Sequence, residues 1–187
     1  MNEAPALPLG GAGAVIVSLM LTFITFTTEY DPIEDRIRVI GSDAGGATAT
    51  VWLNFRLLQF LLPPLFAWFE KVPPTLSGSA AQQEQQFRQS PAYAAVTPQA
   101  PVVAAPSGRE WLAVSVDYTT GEGGLRLVLK DQSAFAQAAI VFDHLAFRQW
   151  LGIVYQLCAG AGWSLAIWPS WIKSPDSAAG DALPSVN

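Results

Sequence analysis

Apolar side chains in the first third of the chain follow two different periods. Ile24, Phe26 and Thr28 recur at every second position, Ile37 and Val39 alternate with Arg36 and Arg38, and Ala49, Val51 and Leu53 repeat the pattern. A two-residue period turns one face of a strand to a core and the other outward. The segments between these runs, "DPIEDR" and "GSDAGG", carry the Asp, Pro and Gly of turns. Beyond Leu53 the period lengthens. Leu58, Leu61, Leu62, Leu65, Trp68 and Phe69 fall on one helical stripe, with Asn54 directly before it as an N-cap. Pro63 and Pro64 lie inside that stripe, where a missing donor and a ring clash predict a kink or a restart. The pattern predicts three strands and a helix.

The same order returns later in the chain. At an offset of 88, Tyr30 falls on Tyr118, Ile37-Arg38-Val39 on Leu125-Arg126-Leu127, and Ile24, Phe26 and Thr28 on Leu112, Val114 and Val116. At 89, Ala49, Val51 and Leu53 meet Ala138, Ile140 and Phe142, and the cap Asn54 meets Asp143. The second helical stripe is then Phe147, Trp150, Leu151, Val154, Leu157 and Cys158. The expected fold class is α+β: a tandem duplication of a β-β-β-α unit packed as an internal pseudo-dimer, with antiparallel sheet(s) and two main helices. Units of about 60 residues bury too little surface to be stable alone, so related faces should meet as in a two-fold dimer.

Composition divides the chain further. From Val72 to Ser107 it is rich in Pro, Ala, Gln and Ser with few large apolar residues, which is linker composition. The expected organisation is a flexible N-terminus (1–16), a first repeat (17–71), a Pro/Ala/Gln-rich linker (72–108), a second repeat with a Trp-rich end (109–172) and a disordered tail (173–187). Ala4–Phe26 holds no charge and is long enough for a bilayer. No basic residue precedes it, however, and its second half is crowded with threonine and β-branched residues, which favours strand. The expected location is cytoplasmic, with inner-membrane association through residues 4–26 as the alternative.

Candidate chemistry is sparse. His144 is the sole histidine and stands at a helix start, with no second imidazole to share a metal. Cys158 is the sole cysteine and lies on the apolar stripe, so it reads as a small core residue. Asp31, Glu34 and Asp35 share one turn, but their spacing matches no calcium loop. The glycines of "GGAGAVIV" precede a strand instead of following one, and "GSDAGG" lacks the Lys-Ser/Thr of a phosphate loop. The expectation is no enzyme, no cofactor and no metal.

What remains is surface. Strand alternation sends Arg36, Arg38, Arg126 and Lys130 away from the core, and Phe23, Trp52 and Trp111 share that parity. Arginine interleaved with aromatics on a sheet can hold single-stranded nucleic acid by stacking and phosphate contacts. Repeated strands followed by a helix, doubled in one chain, resemble the architecture of Whirly and PUR-type single-strand binders, whose units usually have four strands where three are read here. That resemblance implies single-strand binding. The net charge of −5 weakens the long-range attraction such binders use. Hydrophobic residues reach 51% and charged residues only 13%. Surplus apolar surface makes a protein the expected partner, and a second aromatic cluster, Trp163, Trp168 and Trp171, offers either a further partner surface or, the reading favoured by a small margin, a cap on the core of the second repeat. The expected function is a non-catalytic interaction scaffold or adaptor, an accessory subunit of a larger assembly.

Overall fold

A computed structural model of the chain describes residues 19–71 and 100–173; the expected flexible N-terminus, most of the expected linker and almost all of the expected tail lie outside it. The alternating runs form strands and the long-period runs form helices. Their order is β1 (Leu19–Phe23), β2 (Thr25–Asp31), β3 (Arg36–Ser42), β4 (Thr48–Leu53), α1 (Phe55–Phe69), β5 (Arg109–Leu112), β6 (Ser115–Gly121), β7 (Gly124–Lys130), β8 (Ala136–Phe142) and α2 (His144–Gly160). The protein is α+β, with two helices and two four-stranded mixed sheets among the described residues. Strand orders are β1-β8-β7-β6 and β2-β3-β4-β5.

The fourth strand of each sheet corrects the expectation of three antiparallel strands per unit. β1 runs parallel to β8, with Phe23 opposite Ile140, and β5 runs parallel to β4, with Trp111 opposite Val51. Each half of the chain thus lends its first strand to the sheet built by the other half. The transfer occurs within a residue or two. The Ile24 N–H donates to Ser42 O at 2.9 Å as the chain enters β2, and the Val114 N–H donates to Lys130 O at 2.9 Å as it enters β6. Hydropathy cannot mark such a bend, because both arms of the bent strand present apolar side chains to the same core.

Pairing also corrects the superposition of the two tyrosines. Four residues, 32–35, separate β2 from β3, whereas only two, 122–123, separate β6 from β7. Tyr30 therefore stands opposite Ile37, while Thr120 stands opposite Leu125 and Tyr118 opposite Leu127. The slip is two residues, an even number, so the inward face is still the inward face. The later matches keep their place: Val39 pairs with Val51 and Leu127 with Ile140.

Both helices begin where their caps are. Asn54 Oδ1 accepts from Leu57 N at 2.8 Å, and Asp143 Oδ1 accepts from Ala146 N at 2.7 Å. α1 continues through Pro63 and Pro64 without a restart. The carbonyls that lose their donors belong to Gln59 and Phe60, which face solvent, so water can serve them. Leu58, Leu61, Leu62, Leu65 and Phe69 of α1 and Phe147, Trp150, Leu151, Val154 and Cys158 of α2 are buried. They join Ile37, Val39, Val51, Leu53, Leu125, Leu127, Ile140 and Phe142 in one hydrophobic cluster. Cross-half contacts seal it: Phe26 meets Phe142 edge-on at 5.7 Å, and Trp150 Nε1 donates to Thr28 Oγ1 at 3.3 Å. Among the described residues no helix is long and apolar enough to cross a membrane, and residues 19–23 and 25–26 of the uncharged N-terminal stretch belong to β1 and β2.

Beside the first bend, Phe23 fills the space over Gly41. A Cβ built on Gly41 would sit 2.2 Å from the Phe23 ring. At the matching bend the sizes are reversed, with Ala113 before the turn and Leu129 at the corresponding place on β7, both buried.

Two predictions follow from this exchange of strands and of volumes. A chain cut once between residues 72 and 99 should elute as one particle in native buffer, since each sheet contains strands from both pieces; separation of the pieces without denaturant would discard the exchange. Phe23→Ala alone should cost about 3–5 kcal/mol, and Gly41→Leu alone should destabilise by overpacking. Together they recreate the Ala/Leu arrangement of the other bend, so a denaturant double-mutant cycle should show recovery of most of the loss. Strictly additive losses would show that the two side chains do not share one space.

Candidate functional site

The outward positions of β3 and β7 are where the alternation predicts. Arg38 pairs with Glu29 and Trp52 across its strand neighbours, and Arg126 pairs with Thr119 and Val141. What surrounds each basic residue differs sharply. Arg38 Nε donates to Glu29 Oε1 at 2.6 Å, its Nη1 lies 3.6 Å from Asp31 Oδ2, and its guanidinium stands 5.9 Å from the Trp52 ring centre. Arg36 lies 3.3 Å from Glu34, Lys130 forms an ion pair with Asp117, and the Trp52 indole donates to Glu110. Partly exposed pairs of this kind contribute about 0–1 kcal/mol each. Their larger consequence is that the charges available to a polyanion are already met by carboxylates on adjacent strands.

Arg126 is the exception. Its Nη2 reaches Met20 Sδ at 3.2 Å, and among the described residues no carboxylate lies within ion-pair distance. Around it the surface is apolar. Val141, its cross-strand partner, is 62% exposed and Met20 is 47% exposed. Ile24 follows Phe23, which pairs with Ile140, and so stands beside Val141 at the end of the strand pair with 64% exposure.

The outer face of the other sheet carries a strap. Residues 100–108, expected as the end of the linker, cross it before β5. The Val102 N–H donates to Thr27 Oγ1 at 2.8 Å and the Ala105 N–H to Thr48 Oγ1 at 3.0 Å, tying the strap to β2 and β4. No period in the sequence marks this segment, because its anchors are main-chain amides.

Four aromatic residues of the expected outward or partner surface face the core instead. Trp111 and Phe23 face inward, opposite Val51 and Ile140, since the alternation counted along each strand breaks at the bend. Trp168 and Trp171 are 3% and 2% exposed and pack on Phe66 of α1. Trp171 Nε1 also donates to Glu70 at 2.8 Å, and Arg148, itself buried, stands 4.5 Å from the Phe69 ring centre and 5.5 Å from that of Trp171. Trp163 is half-buried. It meets Tyr30 and Phe55 at 5.7 and 5.2 Å, and its Nε1 donates to Asp35 Oδ1 at 2.8 Å. The Trp-rich segment is therefore a clasp between the halves, not an open surface.

His144 and Cys158, the two residues weighed for chemistry, both pack among apolar groups. His144 stacks on Trp68 with ring centres 5.6 Å apart. Burial pushes the Cys158 thiol up to about 12, so it stays protonated at neutral pH and is no nucleophile. Among the described residues no group of three His, Cys, Asp or Glu side chains could hold a metal ion. Compared with protein-family models, curated proteins and solved structures, the chain finds no match.

Asp35 offers a pH handle on the clasp. It has a left-handed φ of 49° and accepts from Tyr30 Oη at 2.7 Å as well as from Trp163. The Tyr30 hydroxyl, then the Trp163 indole, hold its carboxyl below the usual value. A carboxyl depressed in the folded state contributes stability above its unfolded value, near 3.9, and loses that contribution as pH falls through the folded one. Asp35→Asn retains the left-handed preference but cannot ionise. The parent should melt above this variant at pH 7, and the gap should close as pH falls below about 4. A gap that persists unchanged into acid would assign the difference to shape alone.

Proposed function

We propose that the chain is a tandem duplication of a unit of four strands and one helix, and that it serves as a non-catalytic protein-interaction scaffold. Support for the duplication comes from the order β-β-β-β-α, which occurs twice, from side-chain caps at Asn54 and Asp143, and from burial in β3 and β7 that matches residue by residue. The partner docks on the outer face of the β1-β8-β7-β6 sheet. A single contrast carries this reading: Arg36, Arg38 and Lys130 are ion-paired, whereas Arg126 is laid on a methionine sulfur beside exposed Val141 and Ile24. An arginine among apolar side chains suits a partner that brings an apolar anchor with a carboxylate beside it.

One observation favours a second reading. With β1 and β5 counted, each half has the four strands usual in the Whirly and PUR-type units it resembles. Against single-strand binding stand the neutralised arginines and the strap across one sheet. The positive groove that tracks a nucleic-acid backbone is lacking on these faces.

Val141→Glu combined with Arg126→Glu should reduce partner copurification by about tenfold or more. Val141 is exposed and Arg126 half-buried, so stability should change by no more than about 1 kcal/mol. Arg38→Ala should leave copurification unchanged. Salt-sensitive binding of a single-stranded oligonucleotide, lost when Arg38 and Arg126 are both replaced by Ala, would overturn the scaffold reading in favour of the second.

A further inference from the structure

We propose that two copies of the chain associate through β6, edge to edge and antiparallel, about a two-fold axis at Tyr118. β6 ends its sheet and has β7 as its one neighbour there. The Asp131 N–H donates to Ala136 O at 3.1 Å, and the Val114 N–H donates to Lys130 O at 2.9 Å. Main-chain groups along a strand alternate between its two neighbours. Those of Leu125, Leu127 and Leu129 therefore serve β8, and those of Arg126, Val128 and Lys130 serve β6. Their partners Thr119, Asp117 and Ser115 bond inward, and the N–H and C=O of Val116, Tyr118 and Thr120 point off the sheet.

The edge of the other sheet shows what closing such a strand takes. β2 is half-buried from Phe26 to Asp31. Tyr30 packs on Trp163 and donates to Asp35, Thr28 accepts from Trp150, and Thr27 accepts from Val102. In β6 every residue but Val116 is exposed. Tyr118 is 44% exposed, and among the described residues its ring and hydroxyl meet no aromatic or hydrogen-bond partner. Sheets blunt an open edge with proline, lysine or a very short strand. β6 runs for seven residues, "SVDYTTG", with neither Pro nor Lys. Its one charge, Asp117, is met by Lys130 of β7.

The sequence of β6 suits its own copy. Two residues to either side of Tyr118 stand β-branched Val116 and Thr120, and next to it stand Asp117 and Thr119. In an antiparallel pair centred on Tyr118, Val116 pairs with Thr120 of the partner subunit through the main-chain groups that point off each sheet. Asp117 then lies opposite Thr119 of the partner subunit, whose hydroxyl can donate to the carboxylate. Centring the pair on Asp117 would set two carboxylates face to face. Centring it on Thr119 would carry Val116 past Gly121, the last residue of the partner strand. The same patch on both copies gives a closed dimer.

The inference uses an edge and not the face assigned to the scaffold's partner, and its test needs this protein alone. One strand pair lies at the small end of stable interfaces, so sedimentation equilibrium of the full chain should show a dimer that dissociates at roughly micromolar concentration. Thr120→Pro removes a donor at the open edge and no bond within the sheet, and should weaken the dimer about tenfold or more. Thr119→Lys sets an ammonium opposite Asp117 of the partner subunit but beside Arg126 of its own sheet. It should tighten the dimer while lowering the melting temperature of the monomer, and Thr119→Asp should do the reverse. A merely structural role for Thr119 would move both quantities together. If Thr120→Pro fails to fold, the two Thr119 variants decide. A parent that stays monomeric, a dimer indifferent to Thr120→Pro, or Thr119 variants of equal dimer strength would overturn the proposal. So would a monomeric parent whose Tyr118 amide exchanges slowly, which would give the edge to the chain's own residues. A monomeric parent that retains a foreign protein only with Thr120 intact would give it to a foreign strand, with the same result.

Discussion

Everything in this fold depends on the two bends at which the chain leaves one sheet and enters the other. Without β1, the sheet of β6, β7 and β8 would leave the ladder groups of β8 unpaired; without β5, β4 would be left in the same state. Unpaired main-chain groups beside a core are costly, because neither water nor a partner strand can satisfy them. The exchange satisfies both edges with the chain's own residues. It also explains why one hydrophobic cluster spans both halves, since inward side chains of a bent strand must pack on two sheets at once.

The two bends differ, and the difference is one of volume. One half places its bulk on the bending strand, Phe23, and its smallest residue on β3, Gly41; the other places Ala113 on the bending strand and Leu129 on β7. The sum of the two is conserved while its distribution is inverted. Packing of this sort fixes the crossing of the sheets as firmly as matched residues would, because interiors tolerate redistribution of volume better than its loss.

Much of this was legible along the chain, and the failures have specific causes. Helix positions, both caps, the inward residues of β3, β4, β7 and β8 and the outward position of Arg38 and Arg126 follow from period alone. The fourth strands did not, because the inward parity shifts at Ile24 from Leu21 and Phe23 to Phe26 and Thr28, and "LMLTFITF" holds no turn residue to mark the shift. The same bend put Phe23 and Trp111 on the wrong face. Hairpin length shifted Tyr118 against Tyr30 while preserving parity, so a wrong residue match still gave the right side. The candidate site was legible only in part. Alternation placed the arginines outward, but which of them would be neutralised depends on cross-strand neighbours such as Glu29, Asp31 and Asp117, and register is not written in hydropathy. Tryptophan-rich "GWSLAIWPSWIK" was legible as a core cap or a partner surface, but not as a cover for α1, because Phe66 and Glu70 are distant in sequence.

The clasp formed by Trp163, Trp168 and Trp171 has a consequence for synthesis. The apolar side chains it covers, Phe66 and Phe69 on α1 and Tyr155 on α2, leave the ribosome before it does. For α1 the delay is about a hundred residues, or several seconds at ordinary elongation rates. Over that interval aromatic surface of a half-made chain is available to chaperones and to other nascent chains, and the core closes only when Trp171 arrives over Glu70. Closure of this core is thus timed by the turn that carries Trp171.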